Sequence, residues 1–243
     1  MKSRSVSVIL STYNAEEWLA KTLTGYSIQT YRDFEIVIAD DGSRQDTKHL
    51  IDNFRKSTDI PVIHVWHEDN GFQKSQILNK AIEACTTPYI IMSDGDCIPR
   101  KDFVEVHVKY RQKAYFLSGG YHKLPMKTSK AICKQDILEE HCFKLSWLKK
   151  NGMPGSFKNN KIETAGYKEK LLNLLTPTKA TWNGHNASGW KEDIVAVNGF
   201  DERMQYGGQD RELGERLVNY GIKGKQIRYS AICLHLDLSL IHI

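Results

Sequence analysis

No run of apolar residues in this 243-residue chain approaches the length that a membrane-crossing helix needs. Met1-Lys2-Ser3-Arg4 leads straight into a strand-like pattern, so a secretory leader is not expected. The five cysteines (Cys85, Cys97, Cys133, Cys142 and Cys233) are scattered, odd in number and free of any CxxC pair. That argues against a zinc ribbon and for a reducing, cytoplasmic compartment. No dense Lys/Arg stripe or RNA-binding signature occurs, so nucleic acid is not an expected partner. Internal repeats and low-complexity tracts are missing as well.

What remains is the composition of an ordinary soluble globular protein, 40% apolar and 26% charged, long enough for one large domain or one domain with an appendage. The formal net charge of +5 suits an anionic small molecule or an anionic membrane surface.

The first half alternates strand and helix patterns. Strands are read at 6–10, 34–39, 61–66 and 89–93, with helices at 16–27, 47–54 and 74–85 between them. Such repeats imply an α/β fold with a parallel, doubly wound sheet and right-handed crossovers. Ligands of these sheets bind beyond the carboxyl ends of the strands. The residues found there are Thr12-Tyr13-Asn14, Asp40-Asp41-Gly42-Ser43, His67-Glu68-Asp69-Asn70-Gly71 and Asp94-Gly95-Asp96. Four consecutive polar strand ends converging on one rim suggest a site.

Asp94-Gly95-Asp96 is the most informative of them. It directly follows the apolar run Tyr89-Ile90-Ile91-Met92, which reads as a buried strand. Two adjacent carboxylates repel unless a cation sits between them. Mn²⁺ or Mg²⁺ bound to substrate phosphates is the usual answer, and a solvated Asp-Gly turn is the bland one.

Residues 119–181 break the rhythm and read as a helical insertion, with an amphipathic helix from Ala131 to Lys150 and another helical piece from Lys161 to Leu175. This basic segment suits an acceptor-binding insertion, a membrane-facing patch or simply a cover over the sheet. Beyond Thr181 comes a Gly- and Asn-rich loop, Asn183 to Trp190, and a short helix from Lys191 to Val197. Gly207-Gly208-Gln209-Asp210 then leads into a further helix. Paired glycines before a helix N-terminus allow a ligand to approach the backbone closely.

These pieces together resemble the family 2 glycosyltransferases with a GT-A fold. The resemblance rests on Val8-Ile9-Leu10-Ser11-Thr12-Tyr13-Asn14, Asp40-Asp41-Gly42-Ser43, Asn79 with Ala81-Ile82, and Asp94-Gly95-Asp96. Asn198-Gly199-Phe200-Asp201-Glu202 and Gly207-Gly208-Gln209-Asp210-Arg211-Glu212-Leu213 look like the galactosyltransferase-type C-terminal half of the same superfamily. The resemblance implies a single GT-A domain, with residues 1–118 binding the nucleotide sugar and 182–243 carrying acceptor binding and catalysis. It implies an inverting transfer from a nucleotide sugar, a UDP-sugar first of all, to a glycan or lipid-linked acceptor. Bacterial surface polysaccharide or lipopolysaccharide synthesis would be the setting, at the inner face of the plasma membrane where acceptors are lipid-linked.

By resemblance, Thr12, Tyr13, Asp40, Lys74, Asn79, Asp94 and Gly95 bind the donor nucleotide. Asp96, with Asp94 and His235, holds the metal, and Asp210 is the catalytic base. Gly208 and Gln209 face the acceptor, and Trp190, like Trp182 a ring suited to stacking on a sugar face, is a further acceptor candidate. For Asp41 a turn or a helix cap is the favoured role. His235 between leucines also fits a structural residue, Asp210 a helix cap, and Trp182 and Trp190 the core.

Gln209 stands where the family usually has Glu, and Gln73 where it has Arg. The chain ends at His242-Ile243, soon after the candidate metal ligand, where relatives often continue with helices over the donor site; a truncated tail is one reading. Two alternatives stand beside the transferase: an Asp-dependent phosphohydrolase, and a non-catalytic nucleotide-sugar-binding protein of the same fold.

Overall fold

The computed structural model describes residues 4–156, 159, 161–164 and 166–237; Met1 to Ser3 and the terminal His242-Ile243 lie outside them. Strand β1 (Val6–Thr12) is followed by α1 (Glu16–Ser27), β2 (Phe34–Asp40), α2 (Gln45–Ser57), β3 (Val62–Trp66), α3 (Lys74–Ala84) and β4 (Tyr89–Asp94). After β4 come β5 (Cys97–Pro99), α4 (Phe103–Tyr110), β6 (Tyr115–Ser118) and β7 (Gly120–Lys123). Three short helices follow, α5 (Met126–Ala131), α6 (Lys134–Leu138) and α7 (Leu145–Lys150), and then α8 (Gly166–Leu175). The chain closes with β8 (Ala187–Trp190), α9 (Lys191–Ala196), α10 (Gln209–Asn219), β9 (Lys223–Gln226) and β10 (Ile232–His235).

Seven strands form the main sheet in the order β3-β2-β1-β4-β8-β6-β9. β1 lies parallel to both β2 and β4, and β2 is parallel to β3. β8 runs antiparallel to β4 and β6. The sheet is thus mostly parallel, as expected, with one reversed strand whose direction the pattern of residues did not reveal. Every residue of β2 is buried. Alternation along the strands divides them between two cores: Val8, Leu10, Ile36, Ile38 and Ile91 pack with α1, α2 and α4 residues such as Leu23, Ile51 and Phe103. Ile9, Val37, Ala39, Ile90 and Met92 point the other way, against Ile77, Leu78, Ile194, Leu213 and Leu217 of α3, α9 and α10. Burial on both faces explains the largely apolar runs, which Ser7 and Glu35 interrupt as a mutually hydrogen-bonded pair.

A second, three-stranded sheet, β5-β10-β7, carries the third core with α5 to α7. Here the expected single helix from Ala131 to Lys150 is corrected. Cys133 and Asp136 form a reciprocal cap that starts α6 afresh, and Glu140 adopts a left-handed backbone (φ 55°). Ile132, Ile137 and Leu148 reach the third core from separate short pieces, whereas Leu138 faces solvent. One straight helix could not turn all three inward. Among the described residues, no helix is long and apolar enough to cross a membrane.

A buried polar chain ties the two sheets together. Tyr89 OH and Ser188 Oγ share a hydrogen bond (2.8 Å), and Ser188 Oγ lies 2.7 Å from His107 Nδ1, to which it donates when the ring is neutral. His107 Nε2–H donates in turn to Asn186 Oδ1 (2.9 Å). Asn186 Nδ2 then reaches the carbonyls of Gly120 and Ala231, at 2.7 and 3.0 Å. Burial favours the neutral imidazole and pushes the His107 pKa down to about 4. A depressed histidine stabilises the fold above its unfolded pKa of about 6.5 and loses that stabilisation as pH falls towards 4. His107 should therefore contribute about 3 kcal/mol of acid sensitivity. Urea unfolding between pH 7.5 and 4.5 should show a steeper decline for the wild type than for His107→Gln; parallel curves would remove His107 from the account.

Candidate active site

β1 and β4 lie side by side although the chain leaves β1 towards β2 and β3 and returns on its other side. The crevice at such a reversal of strand order is where open α/β sheets hold ligands. Ser11 and Asp94 are register partners across it, and Ser11 Oγ donates to Asp94 Oδ1 at 2.5 Å. Gly95 N–H donates to Ser11 O at 2.7 Å; a Cβ on Gly95 would stand 2.9 Å from that oxygen, so the turn between the two aspartates needs glycine. A cavity of about 460 Å³ opens here, lined by Ser11, Thr12, Tyr13, Asp41, Asp94, Gly95, Asp96 and His235. Lys74, Phe72, Tyr206, Gly207 and Gln209 complete it, and the rings of Phe72 and Tyr206 meet at 5.1 Å.

Charge organises the floor. Lys74 Nζ donates to Asp94 Oδ1 at 2.8 Å. Burial disfavours the ammonium, but Asp94, Asp210 and Asp96 together outweigh it and hold its pKa above the ordinary lysine value. Burial would likewise raise Asp94; Lys74 and the Ser11 hydroxyl reverse that and keep it well below the usual carboxylate range. Asp96 has a weaker partner, accepting from the Cys97 thiol at 3.5 Å. Burial and the neighbouring Asp94 charge raise its pKa, against an opposing pull from His235, whose Nε2 is 3.7 Å away. Burial also raises Asp210, with Lys74 opposing.

Asp94, Asp96, Cys97 and His235 each bring one ligand atom within 4.8 Å of the others. His235 Nδ1 is buried without a hydrogen-bond partner. Two carboxylates and an imidazole suit a hard divalent ion that retains room for phosphate oxygens, so the residues fit Mn²⁺ or Mg²⁺.

Asp210 lies in the first turn of α10, whose N-cap is Gly208 with a left-handed backbone (φ 81°). The carboxylate is therefore not the helix cap. A Cβ on Gly184 would stand 2.8 Å from both its oxygens, so glycine there leaves the space the carboxylate occupies. Asp210 Oδ1 is buried and has no partner, as has Oε1 of the adjacent Gln209. Thr12 Oγ1, on the cavity wall, is a third such atom. Buried polar atoms are normally satisfied; the unpartnered Thr12 Oγ1, Gln209 Oε1 and His235 Nδ1 on the cavity wall, with Asp210 Oδ1 next to Gln209 in the chain, mark where a ligand supplies the missing partners.

The structure brings Thr12, Tyr13, Lys74, Asp94, Gly95, Asp96, Gln209 and His235 to this cavity. Gly208 stands next to it in the chain, and Asp210 is close enough to Lys74 and Asp94 to feel both charges. Three expected residues are elsewhere. Asp40 is wholly buried, accepting from Ser43 N–H and from His64 Nε2, both at 2.8 Å. Its neighbour Asp41, expected as a turn or cap, lines the cavity and accepts from His67 Nε2 (2.7 Å) and Gln73 N–H (3.0 Å).

Asn79 clasps the 198–202 turn, bonding Phe200 N–H, Phe200 O and Glu202. It lines a different cavity, of about 690 Å³. Trp190 pairs with Tyr89, at the opposite end of the sheet, because β8 is antiparallel. Its Nε1 donates to Gln112 O at 2.9 Å, and Lys113 Nζ sits 3.9 Å over the ring. It cannot reach an acceptor at this cavity. Trp182 is buried against Phe116.

His185 was not anticipated. It lies just before β8 at the site edge, its ring 4.2 Å from Tyr121 and 5.8 Å from His235, and burial lowers its pKa to about 4. The only sequence signal is its position in the polar loop before Asn186.

The sequence profile described as Glycosyl transferase family 2 matches residues 7–170. Chondroitin synthase of Escherichia coli is 24% identical over 235 residues, covering 89% of this chain and 32% of its own length. Hyaluronan synthase of Pasteurella multocida is 32% identical over 241 residues, covering 89% of this chain and 23% of its own. The chain thus spans a third or less of these two relatives. Among solved structures, the Pyrobaculum calidifontis mannosyltransferase PcManGT, in complex with GDP-Man and Mn²⁺, superposes with a TM-score of 0.65 at 18% identity. It covers 96% of this chain and 57% of that one. S. aureus TarS 1–349 with UDP-GlcNAc gives 0.64 at 15% identity, covering 98% and 62%. These likenesses establish the GT-A fold. The matched profile spans more than half of the residues, and the chain belongs to the Glycosyl transferase family 2.

Proposed function

We propose that the chain transfers a sugar from a nucleotide-sugar donor, a UDP-sugar, to a glycan or glycolipid acceptor in bacterial surface polysaccharide or lipopolysaccharide synthesis, with inversion at the anomeric carbon. The reading rests on one observation. Asp94, Asp96 and His235 share a cavity with Lys74, which answers to Asp210 as well as to Asp94. Relatives of this fold are described with UDP-GlcNAc or with GDP-Man and Mn²⁺, which supports a nucleotide sugar and a divalent ion here too.

Asp96, Asp94 and His235 would hold Mn²⁺ or Mg²⁺. When bound, the ion supplies Lewis-acid neutralisation of the departing diphosphate. Lys74 stays cationic beside the same oxygens. Thr12, Tyr13 and Asp41 line the part of the cavity suited to base and ribose, where a phenol ring stacks and a carboxylate accepts an N–H. Asp210 takes the proton of the acceptor hydroxyl as its oxygen bonds to the anomeric carbon, and the bond to the diphosphate breaks with its electron pair leaving on the diphosphate. Burial raises the proton affinity of Asp210, which suits a general base. The C-terminal half carrying it, beyond the matched profile, is read as galactosyltransferase-type. The phosphohydrolase alternative finds no support in the family match.

A panel of nucleotide sugars should reveal hydrolysis or transfer only with Mn²⁺ or Mg²⁺ present. Asp96→Ala should weaken metal-dependent UDP binding by at least about tenfold in calorimetry. Unchanged affinity would refute the metal assignment, and release of phosphate from simple phosphomonoesters would favour a hydrolase.

A further inference from the structure

Helix α8 is turned inside out. Asn173 and Glu169 face the protein: Asn173 Nδ2 donates to Ser230 Oγ (2.8 Å), Asn173 Oδ1 accepts from Tyr229 N–H (3.0 Å), and Glu169 accepts from Ser230. Its apolar residues face out. Tyr167 is 92% exposed, Leu171 52%, Leu174 81% and Leu175 64%, and no residue of the helix is buried. Positions 167, 171, 174 and 175 form one stripe at helical spacing. Amphipathic helices of globular proteins point that stripe at the core, so a contiguous outward one marks a surface meant for a partner.

Charge identifies the partner. Residues 119–181 hold twelve lysines, no arginine and five acidic residues, whereas the whole chain is only +5. The excess positive charge therefore resides in this segment. Lys168 and Lys170 on the helix itself are exposed, and Lys170 Nζ stands 5.9 Å from the Tyr167 ring. A second copy of the chain would bring these lysines against themselves. A helix of ten residues, about 15 Å long and about 10 Å wide, also presents a face of only roughly 150 Å², far short of the roughly 800 Å² per partner of a stable interface. An anionic bilayer accepts both features, since leucines enter the acyl boundary while lysines stay among the headgroups.

We infer that α8 is an interfacial anchor, docking the protein on anionic lipid through Tyr167, Leu171, Leu174 and Leu175 with Lys168 and Lys170 at the headgroups. The inference does not depend on the reaction proposed above, because docking is read with neither donor nor metal present. In co-sedimentation, the full chain should bind vesicles of phosphatidylcholine with phosphatidylglycerol and leave vesicles of phosphatidylcholine alone in the supernatant, with binding weakened by salt. Leu174→Ser with Leu175→Ser, and separately Lys168→Glu with Lys170→Glu, should each lower partitioning by about tenfold or more. Their melting temperatures should match the wild type, since these side chains are exposed.

Failure of the wild type to bind anionic vesicles, equal binding to neutral ones, or unaltered binding of the leucine variant would overturn the inference. So would a concentration-dependent dimer that the leucine variant abolishes, since that would assign the stripe to a second copy.

Discussion

Asp210→Asn should bind UDP and metal as tightly as the wild type in calorimetry while its turnover falls by about 10²- to 10⁴-fold. The substitution keeps the shape of the side chain and removes only its capacity to take a proton. Because burial raises the Asp210 pKa, its proton is retained to higher pH than for a free carboxylate. The acid limb of the wild-type rate profile should therefore lie above the ordinary aspartate range and be absent from the residual activity of the variant. Equal turnover would exclude Asp210 as the base; lost UDP binding would mean that it supports the donor site instead.

Lys74→Met tests the electrostatics of the same floor. The ammonium counters Asp94 directly and Asp210 and Asp96 at longer range. Removing one partner of a buried pair leaves uncompensated charge and costs about 3–5 kcal/mol. The lower end applies here, about 3 kcal/mol, because 21% of the Lys74 side chain still reaches solvent. Melting should fall accordingly without metal, and Mn²⁺ should restore part of the loss, since a divalent ion answers the same carboxylates. An unchanged melting temperature would show that the carboxylates are screened by solvent rather than by Lys74.

Much of this site was legible along the chain. Strands β1, β2 and β4 announce themselves through mostly apolar, β-branched runs, because burial on both faces leaves room for few polar positions, Ser7 and Glu35 among them, and those two bond one another. Ser11, Thr12, Asp94, Gly95 and Asp96 follow from being at their carboxyl ends, which a parallel sheet brings to one edge. The short strands β6, β8, β9 and β10 were not legible. β9, Lys223-Gly224-Lys225-Gln226, is polar and at the sheet edge, and its strand state depends on pairing with β6. The choice between Asp40 and Asp41 was likewise hidden. Adjacent residues at a strand end face opposite ways, and only the positions of His64, His67 and the α3 N-terminus tell which carboxylate meets the cavity.

Local residue pattern was sufficient for the family, the α/β class and the acidic rim, because period, strand ends and glycine turns are properties of a few neighbouring residues. The direction of β8 was not, and it decides the rest. By running against β4 it carries His185 to the rim and Trp190 to the far edge. Asn79 was similarly assigned by contact alone, its amide used up on the Phe200 backbone. Strand direction and side-chain partnership arise from contacts between segments about a hundred residues apart. No local spacing of residues encodes them.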